Sequence, residues 1–119
     1  MQKILIIEDD IFIRDIAEHK LIEAGYVVYK TADGGSALAK VKEIEPDLVL
    51  LDLSLPNKHG FDVLAELREE GFVDLPVIIF SNENGPDIEE NAQKLGATYF
   101  FKAMTGTGEL IATVTKLLA

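Results

Sequence analysis

The chain contains no cysteine, which removes disulfides and thiolate metal sites from consideration and fits a reducing cytosol. Long apolar runs are missing too. The opening "MQKILIIEDD" turns acidic after a few apolar residues, too few for a signal peptide or a membrane span, and no later segment does better. Cytoplasmic location without membrane insertion is therefore expected. Basic side chains are scarce, 11 against 21 acidic, giving a formal charge of -10. Such a surface repels nucleic-acid phosphates and anionic headgroups, and no local basic patch offsets it, so direct nucleic-acid binding is not expected. Low-complexity runs, polar linkers and internal repeats are also absent, and with only 4 prolines nothing marks a boundary. Residues 1–119 are read as one domain.

What is present suits a globular fold. Apolar residues make up 48% of 119 residues, enough for a real core at this size. Five short β-branched or aromatic runs recur at nearly regular intervals: "KILIIE", "VVYKT", "DLVLLD", "PVIIFS" and "TYFF". The first, third and fourth are apolar at successive positions, as central parallel strands covered on both faces would be. Helical spacing fills the intervals. Ile13, Ile16, Ala17, Leu21 and Ala24 form one stripe ending at Gly25; Ala37, Leu38, Val41 and Ile44 form a second before Pro46. Phe61, Leu64 and Leu67 form a third closing near Gly71, Pro86 to Gly96 brackets a fourth, and Leu110, Ile111, Val114, Leu117 and Leu118 form the last. Alternating βα units imply right-handed crossovers and a parallel sheet with helices on both faces, (βα)5.

In open sheets of this kind ligands sit beyond the carboxyl ends of the strands. Those ends carry Glu8, Asp9 and Asp10 after the first strand, Asp52 after the third, Ser81 at the fourth and Lys102 after the fifth. Several carboxylates at one edge repel one another and call for a cation beyond Lys102. Hard oxygen ligands of this type suit Mg2+, with Mn2+ as the alternative, sharing its coordination with a phosphate. Phosphoryl chemistry follows: Asp52 as carboxylate nucleophile, Glu8 and Asp9 as metal ligands, Lys102 as a point charge for a phosphoryl oxygen, and Ser81 as a short hydroxyl donor.

The segments "ILIIEDDIFIR", "PDLVLLDLSLPNKHGFDVL", "LPVIIFS" and "GATYFFK" resemble the successive motifs of the response-regulator receiver domain, and the resemblance covers essentially the whole chain. It implies a flavodoxin-like sheet in the order 2-1-3-4-5, Mg2+ dependence, and transfer from a histidine kinase or histidine phosphotransfer protein. It further implies a conformational switch that controls a partner or output domain. By position, Glu8 and Asp9 resemble the family's acidic pair, Asp52 its phosphoacceptor, and Ser54 the residue whose backbone carbonyl completes the metal site. Ser81 resembles the switch hydroxyl, Lys102 the family lysine, Tyr99 the aromatic that reports the state of the site, and Glu83 a position that tunes phosphoryl lifetime. Asp10 is left a smaller role. With no output segment after Ala119, the module is expected to act by docking or as one unit of a longer protein. Partner choice is expected around the first helix, including Arg14, His19 and Lys20. A homodimer through helix four, strand five and helix five is a further expectation.

Two positions depart from the family pattern. Asn82 replaces a small residue after the switch hydroxyl and narrows access, and Ala103 stands where many members have a proline after the lysine. These departures support an alternative, a pseudo-receiver that binds partners without being phosphorylated. A phosphohydrolase would need a DxD pair after the first strand, and a flavin carrier a glycine-bearing phosphate loop; "EDDIFIR" provides neither. His19 and His59 have no metal or catalytic spacing and are read as surface or half-buried histidines. The phenylalanines, Phe12 included, are read as packing residues.

Overall fold

The computed structural model describes residues 1–102 and 106–119. In chain order it runs β1 (Lys3–Ile7), α1 (Ile11–Glu23), β2 (Val27–Thr31), a short 3-10 turn (Gly34–Ser36), α2 (Ala37–Ile44), β3 (Leu48–Leu51), α3 (Gly60–Glu69), β4 (Val77–Ser81), α4 (Pro86–Lys94), β5 (Thr98–Phe101) and α5 (Thr107–Leu117). Every strand pairing is parallel, and the sheet order is β2-β1-β3-β4-β5. This is the flavodoxin-like (βα)5 arrangement with helices on both faces.

The three apolar runs occupy the central positions, where each strand needs two covered faces. Alternate side chains divide between them. Leu5, Ile7, Val49, Leu51, Val77 and Ile79 face α2, α3 and α4, meeting Val41, Val63, Leu64, Leu67 and Ala92. Ile4, Ile6, Leu48, Leu50, Ile78 and Phe80 face α1 and α5, meeting Ala17, Leu21, Leu110 and Val114. The period of two in the strands thus meets the helical stripes on opposite sides of one sheet.

The helix stripes need three corrections and the reading of Phe12 a fourth. Ile16 is 52% exposed, because it points away from the Ala17–Leu21 line that α1 buries, and Ala24 is exposed because it stands past the last helical residue, as the C-cap. Leu117 is exposed as the last residue of α5. Phe12, taken as a packing residue, is 77% exposed; it belongs to the first turn of α1, on the side away from the sheet. Phe61, Phe72 and Phe100 do pack against the core, and Phe80 is buried.

Glycine is required where the chain reverses after α1 and α3, since Gly25 and Gly71 both have φ of +99°. Gly60 is required for another reason: a Cβ there would collide with the backbone carbonyl of Asp52 and the Cα of Leu53. The start of α3 therefore lies directly against the end of β3, and the Gly60 N–H donates to Leu53 O at 2.8 Å. Ala103 lies outside the described residues.

Candidate functional site

Three strands deliver carboxylates or their counter-ion to one point. β1 ends at Ile7 and β3 at Leu51, paired in register, so the next residues, Glu8 and Asp52, emerge side by side. Asp52 N donates to Ile7 O at 2.9 Å and keeps the two chains parallel as they leave the sheet. Lys102 follows β5 and is tied to β4 by its N–H, which donates to Ser81 O at 2.8 Å.

Carboxylate oxygens of Glu8, Asp9 and Asp52 all lie within 4.8 Å of one another. Glu8 and Asp52 are 4% and 6% exposed, whereas Asp9 faces solvent. The Lys102 ammonium donates to Glu8 Oε1 at 2.6 Å and lies 3.5 Å from Asp52 Oδ1, with its charge 5.7 Å from the Phe80 ring centroid. Asp52 Oδ1 also accepts the N–H of Leu53 at 2.9 Å. Burial pushes Glu8 up to about 7, and the charge of Asp52 adds to that rise; the Lys102 hydrogen bond and charge and the Asp10 N–H oppose it without cancelling it.

The charge balance sets what the site can hold. Among the described residues Lys102 pairs with two of the three carboxylates, Glu8 and Asp52, and the cleft above them, about 360 Å³, is open to solvent between Asp9, Asp10, Ser54, Asn82 and Lys102. An all-oxygen donor set with surplus negative charge and room for water fits Mg2+ or Mn2+. Glu8, Asp9 and Asp52 are the side chains that would hold the ion, which when bound would supply positive charge to phosphoryl oxygens.

A family model described as the response regulator receiver domain matches residues 4–115. The chain belongs to that family. Similar receivers of known structure include the chemotaxis protein CheY4 of Vibrio cholerae, 29% identical over 99% of both chains with a TM-score of 0.87. The receiver domain of Francisella response regulator 1452 is 28% identical over 99% of this chain and 97% of that one, with a TM-score of 0.91. The BeF3-activated N-terminal receiver domain of Klebsiella pneumoniae RstA is 26% identical over 98% of both, with a TM-score of 0.90.

Within this receiver fold the remaining expected residues form an outer ring. Ser81 is fully buried, and its Oγ accepts the N–H of Glu83 at 3.1 Å. Asn82, next to it, lines the cleft mouth. Tyr99 donates its hydroxyl to the carbonyl of Glu83; burial, then the charges of Glu89 and Glu83, raise its pKa and keep it a donor. Ser54 lines the cleft and gives its hydroxyl to Glu83 Oε2 at 2.9 Å. No helix among the described residues is long and apolar enough to cross a membrane.

Two residues exceed the roles the sequence suggested. Asp10 is the N-cap of α1, its Oδ1 accepting from Phe12 N at 3.0 Å and Ile13 N at 3.2 Å. His59 is the N-cap of α3, accepting from Phe61 N at 3.1 Å, and its other ring nitrogen lies 2.9 Å from Glu83 Oε2. The polar residue one place before the first helical position was a signal available for both. His19 behaves as expected, an exposed partner of Glu23.

Proposed function

We propose that this receiver accepts a phosphoryl group on Asp52 from a phosphohistidine of a histidine kinase or phosphotransfer protein. The observation that supports this reading best is the grouping of Glu8, Asp9 and Asp52 within 4.8 Å beside the Lys102 ammonium. Asp52 Oδ1 is occupied by Leu53 N–H and faces Lys102, so Oδ2 is assigned to attack. A bond forms from Oδ2 to phosphorus as the phosphorus–nitrogen bond of the phosphohistidine breaks, and the imidazole leaves with that electron pair. Lys102 neutralises charge at the phosphoryl oxygens; Glu8, Asp9 and Asp52 would hold Mg2+, with the Ser54 backbone carbonyl as a further ligand, and the ion would supply positive charge to the same oxygens. Ser81 turns toward the phosphoryl group, Tyr99 reports that turn, and Asn82 and Glu83 set access and lifetime.

The modified state then acts on an output domain or partner in the cytoplasm, with α4, β5 and α5 as the surface for output or self-association. A phosphorylation-independent interaction module is the second reading, favoured by Asn82 at the cleft mouth. Intact-protein mass spectrometry after incubation with Mg2+ and acetyl phosphate, or with a phosphorylated histidine donor, separates the two. One phosphoryl group is expected on the wild type and none on Asp52→Asn. An unmodified wild type with both donors would overturn the phosphoacceptor reading.

A further inference from the structure

Glu83 has its N–H, its carbonyl and one carboxylate oxygen engaged by partners from three separate parts of the chain. Its N–H donates to Ser81 Oγ, its carbonyl accepts from Tyr99, and its Oε2 accepts from Ser54 Oγ. The fourth partner is His59, whose Nε2 lies 2.9 Å from the same Oε2. The ring's tautomer follows from its other contact. Because Nδ1 accepts Phe61 N–H, the ring proton resides on Nε2 and is donated to Glu83. One imidazole thus caps α3 and clamps the β4–α4 loop to the β3–α3 loop.

Ser81 is fully buried, and the cleft above Asp52 is lined by Asn82 rather than by Ser81. To reach a phosphoryl oxygen on Asp52 its hydroxyl must turn toward the cleft, which pulls on the bond from Glu83 N–H. Whatever anchors Glu83 therefore anchors Ser81. We propose that His59 is a positioning residue that acts through Glu83 to hold Ser81 in its resting arrangement, and so opposes modification of Asp52. This rests on the phosphoacceptor reading above. A contact present in one state shifts the balance only by its difference between the two states. A hydrogen bond to a half-exposed carboxylate makes that difference about three- to tenfold in affinity for the modified state.

His59→Asn separates the two jobs of the ring, since a short amide keeps a cap acceptor for Phe61 N–H but cannot span to Glu83. Titration with Mg2+ and beryllium fluoride, a phosphoryl mimic, followed by amide NMR is expected to show His59→Asn binding about three- to tenfold tighter than the wild type. Glu83→Ala is expected to show a similar gain, and the double variant no further gain. A merely structural role would lower the melting temperature without changing this affinity. In the wild type, imidazole nitrogen shifts are expected to show a neutral ring protonated at Nε2. Equal affinity in the wild type and His59→Asn, additive effects in the double variant, or a ring protonated at Nδ1 would each overturn this inference alone. Failure of every protein to take the mimic, together with an unmodified wild type in the donor assay, would overturn the phosphoacceptor reading and this inference with it.

Discussion

Ile7 and Glu8 are consecutive residues and both are buried, yet they belong to opposite regimes. Ile7 lies in the strand body, where β1, β3 and β4 present aliphatic side chains to helices on both faces. Burial there is favourable at roughly 25 cal/mol per Å² of apolar surface. Glu8 lies one residue beyond, where burial removes water from a carboxylate that has Asp52 beside it and Lys102 as its compensation. The strand bodies supply stability and the carboxyl edge consumes some of it. A site that concentrates negative charge for a cation is less stable without the cation, and it can exist because the sheet beneath it is well packed.

The largest effect should come from the strand body. Ile7→Ala is expected to cost about 3 kcal/mol, the usual range for emptying a fully buried aliphatic site. Urea unfolding followed by circular dichroism would measure it as a lower midpoint at unchanged slope. A loss under about 1 kcal/mol would mean that the sheet end relaxes around the cavity, and the contrast with Glu8 would be weaker than its burial suggests.

Of comparable size is the pH dependence from Glu8. Its pKa rises from 4.5 in the unfolded chain to about 7 in the fold, so between those values the folded state holds the proton more tightly. Its contribution is fully present below pH 4.5 and is lost as pH climbs through about 7. At about 1.4 kcal/mol per unit this amounts to about 3 kcal/mol. The stability of wild type minus that of Glu8→Gln should fall by this order over that window and be flat above it. Mg2+ competes with the proton, so its stabilising effect should grow from pH 5 to pH 8. A pH-independent difference between the two proteins would show that Lys102 satisfies Glu8 completely.

The same contrast explains what could be read from the sequence. Continuous apolar runs specified the central strands because they are short and rich in β-branched residues, as doubly covered strands are, and chain order then placed Glu8, Asp52, Ser81 and Lys102 at one edge. Helix faces were less legible. Ile16 fits a helical period but falls off the buried line, since the period does not say how a helix rotates against its sheet, while Ala24 and Leu117 continue the buried lines of their helices yet stand where those helices end. Phe12 was misread on residue type alone. The His59–Glu83 contact joins loops 24 residues apart, and no local pattern encodes such a pair. Nor does spacing show that Glu8 rather than Asp9 carries the desolvation, because the two differ only in which way the chain turns after Ile7.

That turn supplies the smallest and most discriminating prediction. Glu8, Asp9 and Asp10 are three adjacent acids with three environments: one buried against Lys102, one exposed beside the cleft, and one capping α1. Asp10→Ala should cost about 1 kcal/mol, as loss of an N-cap does, while leaving Mg2+ affinity near the wild-type value. Asp9→Ala should do the reverse, because removing an exposed like charge from the cluster costs no stability in metal-free buffer, yet it withdraws a ligand and with it the Mg2+-induced rise in melting temperature. Thermal melts of both variants with and without Mg2+ would measure the pair. If Asp9→Ala kept the full Mg2+ response, Asp9 would not be a ligand, and the ion would have to be held by the buried carboxylates alone.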